Sequence, residues 1–207
     1  MSTPAWILDI FAIVMLLVAE VSAGQLVIAC AWTRRGGTDA DIAVSHLLMG
    51  IAVAGILVPG LRTLPNAVWE FVFAAMTAWF AWCLWRESRG RAAPVTHGHY
   101  APHLVQGAAL LDMFAALTGA MPTLHASTLA LIFALLLIAF TVYDVDRSAG
   151  VDGYFRVVGR RSALAVAAAG PVALRQPTQR LLLSPAVVKG CQVAISVTIA
   201  FILIIMI

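Results

Sequence analysis

Six apolar runs, each close to the length that a helix needs to cross a membrane, constrain this chain more than any other feature of its sequence. A transmembrane helix needs about 20 mostly apolar residues to span a hydrocarbon core of about 30 Å. The runs cover residues 6–32, 43–61, 68–85, 103–121, 127–143 and 186–207. Because a backbone in hydrocarbon must satisfy its own hydrogen bonds, the pattern predicts an all-α polytopic membrane protein of about six transmembrane helices.

The composition excludes an ordinary soluble protein and argues against a nucleic-acid partner. Hydrophobic residues make up 62% of the chain and charged residues only 11%, whereas soluble domains carry about 25% charged residues. The basic residues lie in short clusters between the apolar runs, as they do in the loops of membrane proteins. We therefore expect a single transmembrane domain over residues 1–207, located in the cell membrane. Its expected partners are membrane lipids and other membrane protein subunits, and not nucleic acid.

Turn residues join neighbouring runs into helical hairpins. Pro59, Gly60 and Pro65 predict a tight connection between the second and third runs. Gly119 and Pro122 predict another between the fourth and fifth runs. The sequence thus predicts two tight hairpins, one of helices two and three and one of helices four and five.

The one long connection covers residues 144–184. Its stretch 162–174 is apolar but too short to span a membrane, and Gly170 followed by Pro171 would break a helix there. Two interpretations are open for this segment. It is either an interfacial helix whose arginines contact anionic lipids, or an ordinary loop with the positive charge typical of the cytoplasmic side.

Two histidines open helices that match each other in sequence. The segments His46-Leu-Leu-Met-Gly-Ile-Ala and His103-Leu-Val-Gln-Gly-Ala-Ala share histidine, leucine, glycine and alanine at corresponding positions. Each segment opens the first arm of a predicted hairpin. The similarity indicates a duplicated helical hairpin.

These motifs resemble a family of actinobacterial polytopic membrane proteins catalogued as domain of unknown function 5134. The resemblance rests on histidine, methionine and helix-start motifs in three of the runs. The matching residues are His46, Met49, Gly50, His103, Met113, Ser184, Pro185 and the run 191–203. The resemblance implies a helical membrane fold with His- and Met-rich helices, and it implies no particular activity.

Imidazole and thioether groups in the second and fourth runs indicate a candidate soft-metal site. His46 and Met49 are about one helical turn apart, His103 begins the matching helix, and Cys191 lies at a similar depth in the last run. Such ligands suit Cu(I). The positions at which the resemblance implies methionine are here Val53, Gln106, Leu110, Ile195 and Ile199. We therefore expect copper binding to be weak or absent, with simple packing of these side chains as the alternative.

A second candidate metal site is the loop of residues 96–103. His97, His99 and His103 lie within seven positions of one another, and a short histidine-rich tract can chelate a divalent metal ion. The alternative is a solvated loop that binds nothing.

Two carboxylates, Glu20 and Asp112, lie inside apolar runs at similar predicted depths. Each falls on a stripe of small residues, which is where transmembrane helices pack together, so we expect both acids to face protein and to lie near each other. An ionised carboxylate at that depth must be neutralised, hydrogen-bonded or bound to a cation. Both a role in ion or proton transfer and a purely structural role, with hydroxyl partners such as Ser22 or Thr118, are open.

No catalytic motif is present, since the sequence contains neither a phosphate-binding loop, a nucleophile elbow nor a zinc-protease motif. We therefore expect a protein that is not an enzyme and that needs no cofactor unless it binds copper. Three functions are open: an accessory or assembly subunit of a larger membrane complex, a copper-handling protein, and a small proton- or cation-coupled carrier.

The distribution of basic residues predicts the orientation of the chain. Twelve of the 13 Lys and Arg residues follow the first, third and fifth runs, and only Arg62 lies on the other side. The positive-inside rule then places both termini outside and the 144–184 segment in the cytoplasm. A reporter that fluoresces only in the cytoplasm should stay dark at the C-terminus and fluoresce when inserted into the 144–184 segment. The reverse pattern would contradict this orientation.

Overall fold

The computed structural model describes residues 4–31, 38–89, 100–119, 127–146 and 184–206. These residues form six helices and no strand. The helices are α1 (Ala5–Ala31), α2 (Thr38–Leu57), α3 (Asn66–Arg89), α4 (Tyr100–Thr118), α5 (Ser127–Asp146) and α6 (Pro185–Met206). The prediction of an all-α membrane protein is confirmed.

Five of the six helices are long and apolar enough to span a membrane, and α4 is the exception. Helix α4 contacts α2, α3 and α6, and eleven of its nineteen residues are buried. A helix enclosed by other helices faces protein rather than lipid, so it can carry polar residues such as His103, Gln106 and Asp112 without exposing them to hydrocarbon. This enclosure accounts for its lower hydropathy.

The ends of the helices follow the local sequence signals. The Ser184 hydroxyl accepts a hydrogen bond from the Val187 backbone amide at 3.3 Å, and Pro185 is the first residue of α6, as predicted for its start. A short 3₁₀ turn, Pro59–Leu61, follows α2, and α3 begins directly after Pro65. Gly119 has a φ of 74°, a left-handed conformation that glycine adopts without strain, and ends α4.

Helices α1 and α2 are in extensive contact, and so are α3 and α4. A Cβ atom on Gly50 of α2 would lie 2.8 Å from the Met15 carbonyl oxygen and 2.9 Å from the Ala19 Cβ atom of α1. A Cβ atom on Gly107 of α4 would likewise lie 2.9 Å from the Thr77 hydroxyl of α3. Glycine at these positions allows the backbones to approach closely, which is how membrane helices gain packing energy.

The connection between α2 and α3 is short, as predicted, but these two helices are not a closely packed pair. A groove of about 280 Å³ lies between them, lined by Ser45 and Leu48 of α2 and by Met76 and Trp79 of α3, among others. The glycines direct α2 towards α1 and α4 towards α3, which corrects the predicted pairing of helices two and three. The connection between α4 and α5 includes residues 120–126, which lie outside the described residues.

The two ends of the helical bundle differ in the number of Lys and Arg side chains that the structure describes. One end, which we call the basic end, is where α1, α3 and α5 finish and α2, α4 and α6 begin. Arg86, Arg89 and Lys189 lie there, and the Arg89 guanidinium stacks 3.9 Å from the ring centroid of Trp85. The other end, which we call the opposite end, carries Arg62. The predicted interfacial helix at 162–174 lies outside the described residues.

Substitution of Gly50 tests the close approach of α1 and α2. Gly50→Ala should lower the free energy of unfolding in detergent by about 1–3 kcal/mol, because the added methyl group meets the α1 backbone. Gly190→Ala on α6 is the matched control, since a Cβ atom there would meet nothing within 4 Å. Thermal unfolding followed by circular dichroism measures both. Equal midpoints for the two variants would contradict this packing.

Candidate functional site

Buried polar side chains gather near the basic end of the bundle, and we call this set the polar layer. Each member lies on one of the bundle helices and is almost entirely shielded from the surroundings. The members are Ser22 and Gln25 on α1, Ser45 and His46 on α2, His103 and Gln106 on α4, and Ser196 on α6. Because polar groups are costly in a membrane interior, such a concentration marks this layer as the candidate functional site.

His46 on α2 and His103 on α4 contact each other within the polar layer. Their ring centroids are 5.0 Å apart and the ring planes are inclined at 54°. The exposed fraction is 0% for His46 and 2% for His103. Helices α2 and α4 therefore bring together two residues that are 57 positions apart in the sequence and that the candidate soft-metal site combined.

His46 is the member of this pair in which both ring nitrogens, Nδ1 and Nε2, lack a hydrogen-bond partner among the described residues, whereas in His103 this is shown only for Nδ1. An unsatisfied buried polar group costs about 1–3 kcal/mol. A fully buried imidazole without hydrogen-bond partners is therefore a candidate ligand for a bound ion or molecule.

Gln106 links α4 to α6 next to the histidine pair. Its side-chain amide donates to the Ser196 hydroxyl at 2.8 Å and to the Gln192 carbonyl oxygen at 3.3 Å. The Gln192 side chain in turn donates to a carboxylate oxygen of Asp144 on α5 at 3.1 Å. These bonds join three helices beside the histidines and keep α4 and α6 in register.

The sequence reasoning missed this network. It treated Gln106 only as a position that lacked a methionine. The available signal was helical spacing, since Gln106 follows His103 by three residues and Ser196 follows Gln192 by four, so each pair shares a helix face.

The remaining predicted metal ligands do not complete a cluster. Met49 and Cys191 are both buried in the main hydrophobic core. The described residues contain no group of three or more His, Cys, Asp or Glu side chains that could hold a metal ion, so Cys191 does not join the histidine pair in such a group. His97 and His99 lie outside the described residues.

Glu20 and Asp112 have different environments, and the expectation that both face protein in a shared interior is wrong. Asp112 on α4 is buried, with 6% of its surface exposed, whereas Glu20 on α1 is exposed. Helix α1 packs through Ala19 against Gly50, and neighbouring residues on a helix point about 100° apart. The small residues near Glu20 therefore face the bundle while Glu20 itself points away.

Glu20 lies at the centre of the exposed side of α1, which we call the outer face. Its members recur at helical spacing and are otherwise mostly apolar. They are Trp6, Asp9, Ile10, Ile13, Leu16, Leu17, Glu20 and Val27. Glu20 has no hydrogen bond or ion pair to any described residue. The outer face is therefore an apolar surface with one unpaired carboxylate near mid-membrane.

Comparison with known proteins identifies the family but no activity. The profile of one family, described as domain of unknown function (DUF5134), matches residues 38–206, which run from the start of α2 to the end of α6. No curated protein matches the chain. No solved structure matches it either. The match covers most of the chain, so this membrane protein belongs to the DUF5134 family.

Proposed function

We propose that this protein is a non-catalytic subunit that assembles with another membrane protein through the outer face of α1. The observation that carries the proposal is the exposed carboxylate of Glu20. Glu20 lies about 22 Å from the start of α1 and about 16 Å from its end, given a rise of about 1.5 Å per residue. At that depth the surrounding lipid offers no polar group to the side chain.

The energetics favour a basic partner at this position. An unpaired carboxylate in hydrocarbon is costly, and ionisable groups inside membranes normally face protein and pair with one another. Among the described residues the basic side chains are Arg62, Arg86, Arg89 and Lys189, all near helix ends and none bonded to Glu20. A transmembrane helix of another protein that carries Lys or Arg at matching depth would form an ion pair with the Glu20 carboxylate.

The rest of the outer face suits such a helix. Ile13, Leu16, Leu17 and Val27 provide an apolar strip above and below Glu20. Asp9 lies on the same face, about three turns from Glu20, and offers a second carboxylate closer to the membrane boundary. The face thus combines an apolar contact surface with two acids in line, a pattern complementary to a helix with basic residues.

Substitution of Glu20 tests the proposed assembly. With a photo-cross-linking residue in place of Leu17, the protein should cross-link to a partner helix that contains Lys or Arg. Glu20→Gln and Glu20→Leu should reduce the yield of the complex by more than about 100-fold, because removing one member of a buried ion pair costs about 3–5 kcal/mol. Reversing both charges, with Glu20→Lys and an acid in the partner, should restore the complex.

Two controls separate this effect from general damage. Asp146→Asn removes an exposed carboxylate at the end of α5, and a cross-linker in place of the exposed Leu135 probes a different lipid-facing surface. Asp146→Asn should leave the yield of the complex unchanged, and the cross-linker at position 135 should not capture the partner. An unchanged yield with Glu20→Leu, or cross-linking only to a second copy of this chain, would contradict the proposal.

The histidine pair supports a second candidate function, the binding of Cu(I) within the polar layer. Two imidazoles that bind one tetrahedral ion, with metal–nitrogen distances of about 2.0 Å, hold their ring centroids about 5 Å apart. The centroids of His46 and His103 are 5.0 Å apart. Met49, one turn from His46 and fully buried, could add a thioether. Cu(I) accepts low coordination numbers, so it suits so small a ligand set.

Copper titration and thermal unfolding test this second function together. Purified protein should take up one Cu(I) weakly in competition with a chelator, and His46→Leu or His103→Leu should abolish the uptake. Metal-free His46→Leu should unfold at a higher temperature than the native chain, because the substitution removes two buried atoms that lack partners. Met206→Leu, which removes a thioether at the opposite end, is the control. Uptake that persists in His46→Leu would contradict the site.

A further inference from the structure

A cavity at the opposite end of the bundle has no place in either proposed function. It has a volume of about 180 Å³ and lies between α4, α5 and α6. Its walls are mostly apolar, with two polar side chains, Asp112 and Ser127, and the apolar residues Met113, Ala116, Ala130, Leu203 and Met206. We infer that this cavity binds a small organic cation, with the Asp112 carboxylate as the counter-ion and the apolar wall around the organic part.

The Asp112 carboxylate carries the inference because it is enclosed and unsatisfied. Only 6% of the residue is exposed, and its Oδ1 atom has no hydrogen-bond partner among the described residues. The hydroxyl that the sequence offered as a partner, that of Thr118, bonds instead to the Ala115 carbonyl oxygen at 3.0 Å and to Glu70 Oε2 at 3.2 Å. A ligand with a positive charge and an N–H group would satisfy the carboxylate.

The walls of the cavity favour an organic cation over a metal ion. Ca²⁺ and Mg²⁺ require about six oxygen ligands, and no group of three acidic, histidine or cysteine side chains occurs among the described residues. Most of the wall consists of methyl, methylene and thioether groups, which suit an alkyl chain. Pockets for small molecules commonly combine such walls with one or two polar groups that fix the orientation.

The cavity has room for a short organic cation. Its volume of about 180 Å³ is several times the share of one water molecule in the liquid, about 30 Å³. A small primary amine in its protonated form, with a short alkyl chain, therefore fits beside Asp112.

Titration with n-butylammonium tests the site, with 1-butanol as the neutral probe of similar shape. Butylammonium should bind the purified protein in detergent and raise its unfolding temperature, and butanol should bind at least about tenfold more weakly. Asp112→Asn, which keeps the shape of the side chain, should weaken butylammonium binding at least about tenfold. Ala130→Leu should abolish binding by filling the cavity while the carboxylate remains. Glu70→Gln is the control, since Glu70 is an acid at the same end of the bundle outside the cavity wall.

Four other outcomes of these titrations would overturn the inference. Butanol binding as tightly as butylammonium would identify a merely apolar cavity. Equal affinity in Asp112→Asn would exclude the carboxylate as the counter-ion, and displacement of the amine by Na⁺ at equal concentration would identify an inorganic cation site. Absence of butylammonium binding to the native chain would show that the acid is simply protonated. If Asp112→Asn fails to fold, the Ala130→Leu variant and the butanol comparison still decide the question.

Discussion

Every polar group placed inside a membrane must find its partner within protein, and the arrangement of this molecule depends on that constraint. The backbone meets it by forming helices, whose hydrogen bonds close within each segment. Some of the buried polar side chains have hydrogen-bond partners and others do not. The side-chain nitrogen of Gln106 is bonded to Ser196 and to the Gln192 backbone. Among the described residues, Oε1 of Gln106, the ring nitrogens of His46 and Oδ1 of Asp112 have no hydrogen-bond partner. The unsatisfied groups are the ones that point to ligands or partners.

The three candidate surfaces are separated in space and differ in chemistry. The polar layer near the basic end offers imidazole, amide and hydroxyl groups within the bundle. The cavity at the opposite end offers one carboxylate with apolar walls. The outer face of α1 offers a carboxylate to the surroundings. Because each rests on a different residue and is tested by a different variant, failure of one function leaves the other two standing.

The different environments of Glu20 and Asp112 support different proposed roles for the two acids. If both had faced a shared interior, a carrier that moves protons or cations between two acids would have been the natural interpretation. Helix α1 instead turns Glu20 outwards, while α4 holds Asp112 inside the bundle. The outer position favours assembly with another membrane protein, and the inner position favours binding of a small ligand.

The sequence by itself determined that this chain is a helical membrane protein and where most of its helices lie, and it predicted that His46 and His103 occupy matching positions. Those properties depend on the local sequence, namely the length of apolar runs, turn residues and a repeated motif. They do not depend on which helices pack against each other. Only the tertiary structure decided which helices form close pairs, because that depends on where Gly50 and Gly107 let two backbones approach. The same packing set the rotation of α1, which a stripe of small residues predicted wrongly for Glu20. It also brought Gln106 to Ser196 and Asp112 to the cavity wall, since contacts between distant segments depend on the position of whole helices and not on local spacing.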